Sequence, residues 1–110
     1  MQDKEILLKY VPMTETGCYI LLAIAQMPKH GYAIVQYVRS ITNGRITLGN
    51  GTLYGTISKM EKDGLITMIV DDEKKKIYKI TILGEKILLK EKTRISELNK
   101  HLKEGFTCIV

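Results

Sequence analysis

Gly49-Asn50-Gly51-Thr52-Leu53-Tyr54-Gly55-Thr56-Ile57-Ser58-Lys59-Met60-Glu61-Lys62-Asp63-Gly64-Leu65-Ile66 is the stretch from which the fold follows. Leu53, Ile57 and Met60 fall at i, i+4 and i+7, one apolar stripe of an amphipathic helix. Gly49-Asn50-Gly51 opens this helix, which is expected to run to about Asp63. Gly64 then supplies the left-handed residue that ends a helix. Immediately afterwards the period changes. Leu65-Ile66-Thr67-Met68-Ile69-Val70 is rich in β-branched and apolar residues and reads as a strand.

Working outward toward the C-terminus, Asp71-Asp72-Glu73 is a polar turn, and Lys74 to Thr81 reads as the return strand. Tyr78 and Ile80 lie on one face of that strand, with Ile77 and Lys79 on the other. Thr81 can cap a last helix from about Ile82 to Gly105. In it Leu88, Ile95, Leu98, Leu102 and Phe106 are spaced 7, 3, 4 and 4, a heptad-like seam with no sequential neighbour to cover it.

Toward the N-terminus, Ile46 and Leu48 alternate with Arg45 and Thr47, which predicts one short extended segment after the Asn43-Gly44 turn. A helix over Gly31 to Ile41 has Ile34, Val35 and Val38 as its inner face. The helix before it, capped by Thr14 and stopped by Pro28, is apolar nearly all round and predicts the buried centre of the domain. A short first helix over Asp3 to Val11 groups Ile6, Leu7 and Tyr10 on one side, and Pro12 ends it.

The expected fold class is mostly α with a β-hairpin: a winged helix-turn-helix over residues 12–81, and a long C-terminal dimerisation helix over 82–106. The 110 residues suffice for a single domain. No apolar run approaches the roughly 20 residues that span a bilayer, and no secretory signal is evident, so a cytoplasmic protein is expected.

Charge is divided unevenly. Residues 1–73 hold seven basic and eight acidic side chains, whereas residues 74–110 hold ten and four, so the net +5 arises wholly from Lys74 onward. A basic C-terminal part favours an anionic partner. The outer face of the third core helix offers Asn50, Thr52, Tyr54, Thr56, Ser58 and Lys59, all able to hydrogen-bond at base edges or phosphates. Lys74, Lys75 and Lys76 at the hairpin tip can reach phosphates beside the same groove. Tyr32, behind His30-Gly31, can donate its hydroxyl to a phosphate. A solvated amphipathic helix and a charge-cancelled turn remain open for these residues.

Catalytic chemistry is not suggested. There is no phosphate loop, nucleophile elbow or carboxylate pair, so no enzyme and no cofactor is expected. His30 and His101 lack carboxylate or cysteine company, and Cys18 and Cys108 lack metal spacing, so no metal is expected either. Cys18 reads as a small core residue and Cys108 as part of a frayed tail.

With these residues in order, the chain resembles the PadR-like family of bacterial transcriptional regulators. The matching stretches are Leu21-Leu22-Ala23-Ile24, His30-Gly31-Tyr32, Gly51-Thr52-Leu53-Tyr54, Leu65-Ile66 after Gly64, Tyr78-Lys79-Ile80-Thr81 and Leu83-Gly84. The resemblance covers about residues 12 to 105, and the total length is similar to the short subgroup with a single C-terminal helix. It implies a homodimeric regulator, usually a repressor, that binds operator DNA as a duplex. It implies Thr52, Tyr54 and Lys59 against DNA, Tyr32 near the backbone and Lys74 to Lys76 in the wing. It implies pairing of the C-terminal helix with N-terminal helices, hence Ile6, Leu7 and Tyr10 together with Leu88, Ile95, Leu98, Leu102 and Phe106. A small hydrophobic effector at the dimer interface is a further partner open to such a regulator. The chain departs from the family where Gly49-Asn50 replaces the frequent Ser-Pro and Gly55 replaces the proline that commonly follows Tyr54. The alternative from another class is a winged-helix protein-interaction module without specific DNA binding.

Overall fold

The computed structural model describes residues 3–73 and 75–109, with side chains through Thr107. Among the described residues, five helices and one hairpin follow in the order α1 (Asp3–Tyr10), α2 (Glu15–Gln26), α3 (Gly31–Ile41), α4 (Asn50–Lys62), β1 (Ile66–Asp71), β2 (Lys76–Ile80) and α5 (Ile82–Ile109). The mostly helical winged architecture with a long last helix agrees with the sequence reading.

The local causes are the expected ones, with one addition. Thr14 caps α2 by accepting from the Gly17 amide at 3.0 Å. His30 caps α3 through Nδ1, which accepts from the Ala33 amide at 3.3 Å. At the end of α4, Leu65 N–H reaches the Met60 carbonyl (2.9 Å) and Gly64 N–H the Glu61 carbonyl (3.1 Å). This paired closure needs φ of +83° at Gly64, a conformation open to glycine. Thr81 accepts from the Gly84 amide at 3.1 Å and donates back to the Gly64 carbonyl at 2.6 Å, so one hydroxyl starts α5 and pins the base of the hairpin.

The core gathers around α2, where Ile20, Leu21, Ala23 and Ile24 are fully buried. Ile34 and Val38 of α3 cover it on one side, and Leu53, Ile57 and Met60 of α4 on another. Leu65, Ile66 and Tyr78 bring the hairpin in, and Ile6 and Ile87 attach α1 and α5.

Three expectations are corrected, and one bridge is new. Residues 46–48 form no strand; Leu48 is buried and Ile46 half-buried, so their alternation serves packing alone. The third strand position beside β2 goes instead to Lys29, whose amide and carbonyl both pair with Tyr78 at 3.0 and 2.9 Å. Asp71 belongs to β1 rather than to the turn, because it pairs with Lys76. The last helix continues past Gly105 to Ile109, so the backbone of Cys108 is helical, while its side chain lies outside the described residues. At 1.5 Å per residue, the 28 residues of α5 make a rod about 42 Å long.

Candidate nucleic-acid interface

The inward stripe of α4 determines what it shows to solvent. With Leu53, Ile57 and Met60 buried, the opposite line is Gly51, Gly55, Ser58 and Lys62, spaced 4, 3 and 4 and all exposed. Tyr54 and Asn50 stand on the edge nearer the hairpin, and Thr52, Thr56 and Lys59 on the other edge. A Cβ added at Gly51 or Gly55 would meet nothing within 4 Å. The N-terminal half of this line is therefore bare backbone, flanked by longer side chains.

Tyr54 is half-exposed and leans onto the start of α3, where a Cβ on Gly31 would stand 2.6 Å from its hydroxyl. The lack of a side chain at Gly31 lets that ring settle. Between this ring and the hairpin runs a groove of about 430 Å³. His30, Tyr32, Tyr54 and Tyr78 line it, with Asp72, Glu73, Lys75 and Lys76 from the hairpin tip. Tyr78 is buried beneath, and that burial, ahead of the nearby Glu61 carboxylate, pushes its phenol up from the ordinary value. The structure thus brings Tyr32, Tyr54, Lys75 and Lys76 together around one groove. Asn50 shares the wing edge of α4 with Tyr54, Ser58 lies on the outward line, and Thr52 stands on the opposite edge with Lys59. Lys74 lies outside the described residues.

Lys59 goes elsewhere. Its ammonium sits 5.9 Å from the centre of the Tyr10 ring, on the edge of α4 away from the wing. Beside it, Asp63 accepts from Lys9 Nζ at 2.8 Å and from the Tyr10 hydroxyl at 2.7 Å. The Lys9 hydrogen bond, with help from Tyr10, holds the Asp63 carboxyl below the usual carboxylate range. A folded-state value depressed in this way stabilises the fold above the unfolded value, near 3.9, and that stabilisation is lost as pH falls through the folded value. Asp63→Asn is expected to cost about 1–2 kcal/mol at neutral pH. Urea unfolding at pH 7 and at pH 3 should show the gap between the two proteins shrinking on acidification; an undiminished gap at low pH contradicts the ion pair.

A second surface is apolar. Ile95, Leu98, Leu102 and Phe106 of α5 are 46–57% exposed on one line, continuing the half-buried Leu88. Two clefts, of about 390 and 430 Å³, adjoin this line and share Cys18, Leu22, Glu91 and Ile95. Of the N-terminal residues expected at the interface, Ile6 and Tyr10 are already buried against their own chain, and Leu7 is half-buried. Their apolar surface serves to attach α1, which leaves little of it for a second copy. Glu91 is fully buried and accepts from the Met13 amide (3.1 Å) and from Arg94 Nη2 (2.7 Å), joining α5 to the α1–α2 link. Cys18 lies close by, and burial, then the Glu91 charge, push its thiol up.

Sequence reasoning did not single out Lys62, Glu91 or the Lys9–Asp63 pair. The spacing of Lys62 from the inward stripe could have identified it. Arg94 three residues on is a local partner for Glu91, but its other partner, the Met13 amide, lies 78 residues away, and Lys9 and Asp63 are 54 apart.

Residues 20–90 match the model of the transcriptional regulator PadR-like family. The chain is 31% identical over 93 residues to an uncharacterized protein X of Lysinibacillus sphaericus, covering 78% of this chain and 85% of that one. It is 28% identical over 86 residues to an uncharacterized 37.1 kDa transposon protein of Streptomyces fradiae, but spans only 24% of that protein's length. Among solved structures, a transcriptional regulator from Clostridium thermocellum superimposes with a TM-score of 0.69 at 28% identity, covering 82% of this chain and 90% of that one.

Proposed function

Because the chain belongs to the PadR-like family of transcriptional regulators, we propose that it works as a homodimeric repressor that binds a specific duplex operator through α4 and the wing. The observation that carries this reading is the shared groove: the exposed edge of α4 at Tyr54 and the wing lysines Lys75 and Lys76 border one surface. A helix about 10–12 Å across fits a major groove about 12 Å wide. The uncovered backbone at Gly51 and Gly55 lets α4 approach the base edges closely, with Asn50, Thr52, Ser58 and Lys59 as its reading and anchoring side chains. Lys74 to Lys76 and Tyr32 neutralise or bind phosphates, which sets the register without reading sequence.

Two copies pair along the α5 seam about a two-fold axis. Their α4 helices then address half-sites roughly 34–36 Å apart, one turn of DNA. The clefts where α2 meets α5 lie next to that seam. A small hydrophobic effector seated there would alter the separation of the two α4 helices and release the DNA.

The test is binding of a duplex selected from genomic fragments, followed by fluorescence anisotropy across a salt series. Wild-type binding should weaken steeply with salt. Tyr54→Ala combined with Lys59→Ala should lose about 100-fold in affinity, given about 1–3 kcal/mol for each good contact, while elution volume stays unchanged. Equal affinity in the double variant overturns the contact assignment. A wild-type protein with no preferred duplex, recovered instead in a tight complex with a different chain, overturns the DNA reading itself.

A further inference from the structure

A helix lying in a major groove has a sugar-phosphate backbone on each side, and the wing accounts for one side only. We propose that Lys9, acting with Lys59 and Thr56, forms a second backbone-phosphate site on the edge of α4 away from the wing. This inference rests on the DNA-binding reading above and extends it to a residue of α1.

The geometry begins with convergence. Lys9 comes from α1 and Lys59 from α4, yet their ammonium groups lie 5.8 and 5.9 Å from the centre of the same Tyr10 ring. They stand at a cleft of about 280 Å³ that Thr14 and Thr56 also line. Thr56 and Lys59 belong to the outer edge of α4, so this cleft borders the surface that faces the groove.

Charge supports an anion here. Asp63 is the carboxylate bonded to Lys9, and its side chain is 5% exposed, against 38% for Lys9. Two cations against one buried anion leave a net positive site, with its positive part outermost. The Tyr10 hydroxyl spends its proton on Asp63, and burial together with that carboxylate holds the phenol far above its ordinary value. The ring therefore adds no charge of its own. Lys9 has three donor hydrogens, and Asp63 takes one of them. The Asp63 bond also holds the Lys9 ammonium at the edge of α4, so less side-chain entropy is lost when a phosphate arrives.

The experiment measures the salt dependence of operator binding between about 0.05 and 0.3 M salt for wild type, Lys9→Gln and Lys9→Arg. In Lys9→Gln the slope of log affinity against log salt should shrink by about 0.9, the value for one phosphate contact. Affinity at the low end should fall about 5–10-fold, and Lys9→Arg should restore both. A duplex series with single methylphosphonate substitutions locates the contact: one flanking position should weaken wild type clearly more than Lys9→Gln, which keeps Lys59 and Thr56 at the same phosphate. An unchanged slope in Lys9→Gln overturns the proposal, whether or not affinity falls, because a merely structural role lowers affinity without altering the ion count. Inorganic phosphate that raises the melting temperature of wild type but not of Lys9→Gln, with the DNA slope unchanged, assigns the cleft to a free anion and overturns it too. A wild-type protein with no salt-dependent duplex binding overturns the DNA reading and this site together; normal wild-type binding with an unaltered variant slope overturns this site alone.

Discussion

Gly84→Ala is expected to lower stability by about 3 kcal/mol, a drop of roughly 12 °C in melting temperature for a chain of this size. The added Cβ would stand 2.3 Å from the Leu65 carbonyl oxygen and 2.7 Å from Ile80 Cγ1. Neither neighbour can yield easily. The Leu65 carbonyl already accepts from the Thr81 amide at 3.0 Å, and Ile80 is paired with Ile66 in the hairpin. The first turn of α5 would have to lift from the base of the wing, breaking the Thr81 cap and opening the packing of Leu65. Alanine favours a helix over glycine by about 1 kcal/mol, which offsets only part of that cost. Gly55→Ala is the control, since a Cβ there meets nothing within 4 Å; it should stabilise by up to about 1 kcal/mol. Thermal melts of the two variants beside wild type decide the matter, and an unshifted midpoint for Gly84→Ala denies the close approach. Because Gly84 sits where α5 leaves the wing, DNA affinity should fall with stability in that variant.

The contrast between Gly84 and Gly55 marks what a sequence conveys and what it does not. The inward stripe of α4 was legible, because Leu53, Ile57 and Met60 repeat at a helical period and burial followed. The caps at Thr14 and Thr81 and the stop at Gly64 were legible too, because each depends on residues within a few positions. The edges of the outer face were harder. Selecting residues by hydrogen-bonding capacity put Lys59 with Tyr54, although the helical turn sets them on opposite edges and Lys59 lies against Tyr10. Hydrogen-bonding capacity likewise gives no sign of Lys62, which stands in line with the exposed Gly51, Gly55 and Ser58. Ile6 and Tyr10 illustrate a different limit. An apolar stripe announces that it will be covered, but its period does not say whether the cover is its own chain or another. Glu91 is the extreme case: a charged residue in an amphipathic helix reads as solvated, and only the Met13 amide and Arg94 explain its burial.

That uncertainty about who covers an apolar stripe applies with most force to α5, where the expected effect is larger still. On the homodimer proposed above, Leu98→Glu combined with Leu102→Glu should give a monomer by light scattering and reduce operator affinity by at least about 100-fold, the usual loss when two linked half-site contacts become one. Both residues are about half exposed within the single chain, and neither belongs to its buried core. Circular dichroism and the fold of residues 3–80 should therefore persist. Four apolar side chains in line on one helix face make a surface that water disfavours. Pairing two such faces buries it, whereas two carboxylates on each face would have to lose their hydration and then repel. The decisive arm uses opposite charges. Leu98→Lys with Leu102→Lys should likewise be monomeric alone, but an equimolar mixture of the Glu and Lys forms should recover dimer mass and operator binding together. Recovery of mass without DNA binding would separate the seam from the α4 spacing; no recovery of either would assign the face of α5 to another occupant.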